Sequence, residues 1–152
     1  MGTQMNIDYL AVTELALLFA AAAIGLSTYV RDLKLKRADW LYQLFEKFYE
    51  ADTYKTMRRI IDFPVTPEHA ALKRDIADNA ASDLHESFSD YLNFFEFILA
   101  MEKTGRLHRD EVHMLFEYYL KRLCDYEFIL TYAAREGYEN LHAYMEKHRI
   151  SV

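Results

Sequence analysis

The chain has 152 residues, 52% of them apolar and 28% charged, with four Gly and two Pro. That balance excludes intrinsic disorder, whose mark is low hydrophobicity, and favours long helices joined by short connections. A formal charge of −6 argues against bulk nucleic-acid binding, which needs a positive footprint, and the single cysteine excludes an internal disulfide and a multi-thiolate zinc site within one chain.

The first element is apolar. Residues 15–30 read LALLFAAAAIGLSTYV without a charge; counted back to Tyr9 the run spans 22 residues, with Glu14 its only charge. A helix of that length covers about 33 Å, enough to cross a hydrocarbon core of about 30 Å. Tyr9 and Tyr29 fall near its ends, where amphipathic rings favour the membrane interface. Residues 1–8 carry no Lys or Arg, whereas Arg31, Lys34, Lys36 and Arg37 follow the run at once. A cleaved signal peptide carries its basic charges before the apolar run; here they come after it, as in a stop-transfer segment. The competing reading is a buried core helix. The positive-inside tendency then predicts an N-terminus outside and a cytoplasmic body. We expect a membrane anchor with a basic collar over residues 1–37 and a cytoplasmic helical bundle over residues 38–152. That body holds 14 basic and 21 acidic side chains, a formal −7, so the collar can touch anionic headgroups while the body is repelled by them.

Glu14 singles out one face of the anchor. An ionisable group inside an apolar span is costly and normally faces protein or water. On a helix Glu14, Leu18, Ala21, Gly25 and Thr28 share a face, small or polar except at Leu18. Ala21-x-x-x-Gly25 and Ala23-x-x-x-Ser27 have the small-xxx-small spacing that lets helices approach closely. The expectation is a homo-oligomer formed through the Glu14 face; the alternative is that Glu14 merely reaches the nearby headgroups.

Beyond the collar, Trp40, Leu41, Leu44, Phe45, Phe48 and Tyr49 recur at helical spacing. Met57, Ile60, Ile61 and Phe63 extend that segment or form a short partner helix. Residues 64–67 break it, and Thr66, Pro67 and Glu68 supply a cap, a first-position proline and a first-turn acid. The helix they start is weakly amphipathic, with Ala70, Ala71, Ile76 and Ala80. Ser82 offers the next cap, and Leu84, Phe88, Tyr91, Leu92, Phe95, Ile98 and Leu99 draw a strong stripe that ends at Gly105. A second stripe runs through Val112, Leu115, Phe116, Tyr119, Leu120, Leu123 and Phe128 toward Ala133, closed by Gly137. A last helix covers residues 140–149, with Leu141, Tyr144 and Met145 inward. The predicted fold is all-α, with helices over 82–104 and 108–135 forming a central antiparallel hairpin around Gly105.

The stretches YLNFFEFIL (residues 91–99) and GRLH (105–108), with residues 112–123, resemble a family of uncharacterised bacterial proteins. That family has one N-terminal membrane segment and a small helical domain, in which an Asn-Phe-Phe-Glu-type helix precedes a Gly-containing turn and an aromatic-rich helix. The matching residues are Asn93, Phe94, Phe95, Glu96, Gly105, Phe116 and Tyr119. The resemblance implies the bacterial inner membrane and brings no activity with it. In layout the chain is also similar to the membrane accessory proteins encoded beside type VI-B CRISPR effectors, which are helical, self-associating and anchored, with an HEPN-like Arg-x(4–6)-His pattern. This second likeness implies phage defence by an oligomer that perturbs the membrane or forms a pore, with Glu14 lining a water-filled path.

Two pairs fit the HEPN ribonuclease spacing, Arg106 with His113 and Arg135 with His142; with ten Arg and six His about one such pair is expected by chance. Leu107 and Glu136 follow the two arginines in place of the polar residue typical of active members. Glu139-x-x-His142 has the local spacing of a di-iron helix, with Asp110-x-x-His113 a poor second copy and Glu96 and Glu102 the remaining nominees. Exposed ion pairing is the favoured reading of these groups. Ser82, Ser87 and Ser89 lack a Gly-rich elbow, no phosphate-cradling glycine loop is present, and Cys124 reads as a small buried hydrophobe. Asn93 and Glu96 are polar within an apolar stretch and need partners, which would set bundle register or line an interface. The expectation is a non-enzymatic module without cofactor or metal, whose partners are the lipid bilayer, its own copies and another protein.

Overall fold

The computed structural model describes residues 9–149, the first two of these by backbone alone. Residues 1–8, whose lack of basic charge bears on orientation, and the ring of Tyr9 therefore lie outside the described residues. Seven helices follow in order: α1 (Tyr9–Glu50), α2 (Asp52–Asp62), α3 (Pro67–Ala77), α4 (Asp83–Lys103), α5 (Arg109–Cys124), α6 (Glu127–Glu136) and α7 (Glu139–His148). No strand occurs among the described residues. The chain divides into two compact units, Met1–Leu44 and Phe45–Val152. The sequence marks a change of charge after Arg37, whereas the second unit's packing begins at Phe45.

In the first unit α1 is uninterrupted, as expected of a proline-free run rich in Ala and Leu, the best helix formers. In the second unit the core gathers on Phe48, which is 0% exposed. Its ring meets those of Phe94 at 5.0 Å, Phe95 at 5.6 Å, Phe116 at 5.5 Å and Tyr119 at 4.9 Å. Offset and edge-on contacts of this kind add to the burial of large rings. One residue of α1's last turn thus packs against both α4 and α5.

Helix ends are closed over long distances by charged side chains. The Arg58 guanidinium, from α2, donates to the Phe48 carbonyl and, at 3.0 Å, to the Tyr49 carbonyl at the end of α1. It also lies 4.8 Å from each of those two ring centres. Arg122 of α5 does the same for α2, donating to the carbonyls of Ile61 at 3.3 Å and Asp62 at 3.1 Å. Terminal carbonyls have no partner within their own helix, so each arginine supplies donors that the helix itself lacks.

α2 buries Met57, Ile60 and Ile61, but Phe63, expected in the same stripe, stands past its end and is exposed. α3 begins as its residues direct: the Thr66 hydroxyl accepts from the His69 N–H and Pro67 occupies the first turn. Its inner face differs from the expected alanine face. His69, Leu72 and Ile76 are buried, while Ala70 is exposed. Imidazole can sit inside because its Nδ1 lies 3.0 Å from the Ile60 carbonyl.

The expected single helix over 108–135 is a correction: it is two helices, α5 and α6, parted at Asp125 and Tyr126. Tyr126 adopts φ −118° and ψ 114°, and its phenol donates to the Ile61 carbonyl at 2.6 Å, with Arg122 at 3.1 Å and the Arg122 guanidinium also on Asp125 at 2.6 Å. Breaking the helix lets one tyrosine reach the end of α2. Gly137, at φ 82°, closes α6 in the left-handed conformation that glycine adopts without strain.

Candidate membrane-association surface

The side chains of residues 11–36 are all exposed. Leu17, Phe19, Ile24 and Leu26 are 65–70% open. A core helix buries such side chains; this one leaves a continuous apolar surface far beyond what scattered exposed residues require. By length and composition α1 is long and apolar enough to cross a membrane.

Glu14, Leu18, Ala21, Gly25 and Thr28 lie on the helical part of this unit, within an arc of about 80° at 3.6 residues per turn. A Cβ added at Gly25 would meet nothing within 4 Å. Glycine inside a helix costs about 0.5–1 kcal/mol relative to alanine, and nothing within the chain uses the room it leaves. On the opposite side, Ala23 and Ser27 with Leu26, Val30, Arg31 and Lys34 border a shallow depression. Arg31, Lys34 and Lys36 of the basic collar are exposed and Arg37 is partly covered.

Three of the four residues expected for ribonuclease chemistry have partners close by in sequence. Arg106 is exposed on the α4–α5 turn, while His113 receives the Arg109 Nε–H at 3.3 Å and faces Glu117 at 3.4 Å. Arg135 pairs with Glu136 at 2.6 Å and lies over the Tyr132 ring, and His142 faces Glu146 at 3.8 Å. Among the described residues no three His, Cys, Asp or Glu side chains form a group that could hold a metal. Cys124 is buried and donates to the Leu120 carbonyl at 3.2 Å; burial pushes its thiol up to about 11, so it is not a thiolate at neutral pH.

Asn93 is exposed, but Glu96 has a structural task. Its carboxylate accepts the N–H of Asn140 at 3.1 Å, the N–H of Leu141 at 2.8 Å and the Asn140 amide at 2.6 Å. Those are the second and third residues of α7, the groups a capping side chain normally satisfies, and Tyr138 at the cap position supplies none. Glu96 therefore caps a helix that begins more than forty residues later and fixes α7 against α4.

A second polar chain joins α4 to α6. The Ala80 carbonyl can only accept, so His85 donates to it through Nδ1 at 2.8 Å, leaving Nε2 to accept from the Tyr132 hydroxyl at 2.9 Å. Ser89 then donates to the Tyr132 oxygen, also at 2.9 Å. Sequence reasoning missed this chain, and only the one-turn spacing of His85 and Ser89 signals it. No family model, curated protein or solved structure matches the chain.

Proposed function

We propose that the chain is a single-pass membrane protein that self-associates through the Glu14, Leu18, Ala21, Gly25 and Thr28 face and holds its helical body in the cytoplasm to bind another protein. The observation that carries this reading is the apolar, uncovered surface of residues 15–30, followed by Arg31, Lys34, Lys36 and Arg37. Lipid satisfies the apolar side chains, and the cationic end stays on the cytoplasmic side. The likeness in layout to the bacterial single-anchor family is the reason for choosing the bacterial inner membrane. Within the body we read α4 and α5 as an antiparallel hairpin, supported by the short turn at Gly105 and by Phe94 and Phe95 against Phe116 at 5.4 Å and 6.4 Å. The body acts as a binding module and not as an enzyme.

Ala21→Leu with Gly25→Leu tests the association face, since two bulky side chains prevent close helix approach. The mass of the complex extracted from membranes should fall toward that of one chain. An unchanged mass removes this face from the proposal.

A second reading follows from Glu14, a carboxylate placed among small residues in the apolar span. In an oligomer it would line a water-filled path, as in a defence protein that permeabilises its host's membrane. Glu14→Gln should then change ion leakage from vesicles carrying the protein; identical leakage from an intact oligomer rejects the path.

A further inference from the structure

The second unit carries an excess of acid, yet one groove on it is cationic. It lies between α4, α5 and α7, with a volume of about 330 Å³, and Lys103, Arg109 and Lys147 line it against a single carboxylate, Glu102. Residues 38–152 together carry a formal −7, so a local +2 is a reversal of sign. The three cations come from three different helices, and no periodicity in the sequence groups them.

Arg109 is held ready at one edge. Along successive turns of α5, Lys121 pairs with Glu117 at 2.8 Å, Glu117 faces His113 at 3.4 Å, and His113 accepts the Arg109 Nε–H at 3.3 Å. That chain occupies one of the five guanidinium donors and leaves the terminal N–H groups for an acceptor. Lys103 is placed by the Asn140 side chain, whose oxygen it reaches at 3.1 Å. Lys147 pairs with no carboxylate among the described residues.

The wall between the cations is rigid. Tyr144 lines the same groove and is 9% exposed, and its phenolic oxygen is buried without a hydrogen-bond partner in the protein. Its ring is stacked on that of His148 at 4.1 Å, which fixes its direction. That ring gives the groove a fixed apolar wall, while its oxygen stays closed off inside the protein.

We propose that this groove is a binding site for a phosphate group, held by Arg109, Lys103 and Lys147, with the Tyr144 ring forming part of its wall. A phosphate monoester carries a charge of about −2, which matches the groove, and its oxygens suit the guanidinium fork. The acidic body around the groove repels nucleic acid and bilayer surfaces, so the ligand is a small soluble phosphate ester. A lipid headgroup offers the same chemistry, and the test separates the two. This inference is independent of how the anchor associates.

Full-length protein in zwitterionic micelles is titrated with inorganic pyrophosphate by calorimetry, and separately reconstituted with phosphatidylglycerol vesicles. Pyrophosphate should bind at one site per chain. Arg109→Gln and Lys147→Gln should each weaken it by about tenfold, the scale of one charge-assisted contact. Lys147→Arg should keep most of the affinity, and Glu102→Gln should tighten binding by about threefold by removing a like charge. A groove engaged only by the vesicles, with the same variants losing it, would keep the phosphate site and assign it to a headgroup. Absence of binding in both arms, or binding unchanged in variants whose helix content is normal, overturns the proposal.

Discussion

Residues 11–36 and residues 45–149 are both helical, and both are rich in large apolar side chains, yet they treat them oppositely. In the first region Leu17, Phe19, Ile24 and Leu26 stay 65–70% open; in the second Phe48, Phe88, Tyr91, Phe95 and Phe116 are closed to solvent entirely. The difference follows from patterning. Apolar residues all round a helix call for an apolar surrounding, whereas a stripe backed by charges calls for neighbouring helices and water. The second region also needs what the first does without: side chains such as Arg58, Arg122 and Glu96 that travel to the ends of other helices.

The sharpest way to break this comparison is to make the first region polar. Phe19→Lys with Ala22→Lys places two ammonium groups near the middle of the span, outside the Glu14 face. At about 2.5–3.5 kcal/mol for each lysine, insertion loses about 5–7 kcal/mol. The protein should move from the carbonate-resistant membrane fraction to the soluble or aggregated one. Retention in the membrane would mean that another part of the chain holds it there.

The converse change belongs to the second region. Phe48→Ala empties the point where rings from α1, α4 and α5 meet, and truncating a fully buried Phe costs about 3–5 kcal/mol. Denaturant unfolding of the full chain in micelles should show that loss, with membrane partitioning unchanged. A loss below 1 kcal/mol would mean that the ring cluster is not the centre of this unit. Glu96→Ala comes next, at about 1–2 kcal/mol, because it leaves the Asn140 and Leu141 N–H groups without their acceptor. Amide exchange should quicken first in α7; uniform quickening across all helices would contradict a local cap.

How much of this was legible depended on how far each signal reached along the chain. Thr66 and Pro67, Ser82 and Gly137 act on neighbours three or four residues away, and the helices start and stop where those residues direct. The long apolar helix is legible for the same reason, since uniform apolarity over one turn after another needs no distant partner. The break at Tyr126 was not, because no Gly or Pro marks it and its reason is the Ile61 carbonyl, 65 positions earlier. Glu96 could be flagged as a misplaced charge, but its ligands lie on a helix that sequence alone does not bring to it. The basic groove escaped entirely: Lys103, Arg109 and Lys147 share no helix face, only a place in the fold.

The smallest expected effect runs the other way, toward gain. Tyr91 is 0% exposed, wedged between Phe48 at 5.9 Å and Phe95 at 5.1 Å, and its hydroxyl has no partner in the protein. Burial drives its phenol well above the usual tyrosine range, as it must where the charged form finds no solvent. The ring earns its place by packing, while the oxygen adds a desolvation cost with no bond in return. Tyr91→Phe keeps the ring and removes that cost, so stability should rise by about 1 kcal/mol, or about 4 °C in Tm for a unit of this size. The same change at Tyr144, in the wall of the basic groove, should also stabilise the free protein and leave pyrophosphate binding unchanged. A lower Tm for Tyr91→Phe would show that the hydroxyl is paired through a buried water, and that the core of the second region is wetter than its aromatic packing implies.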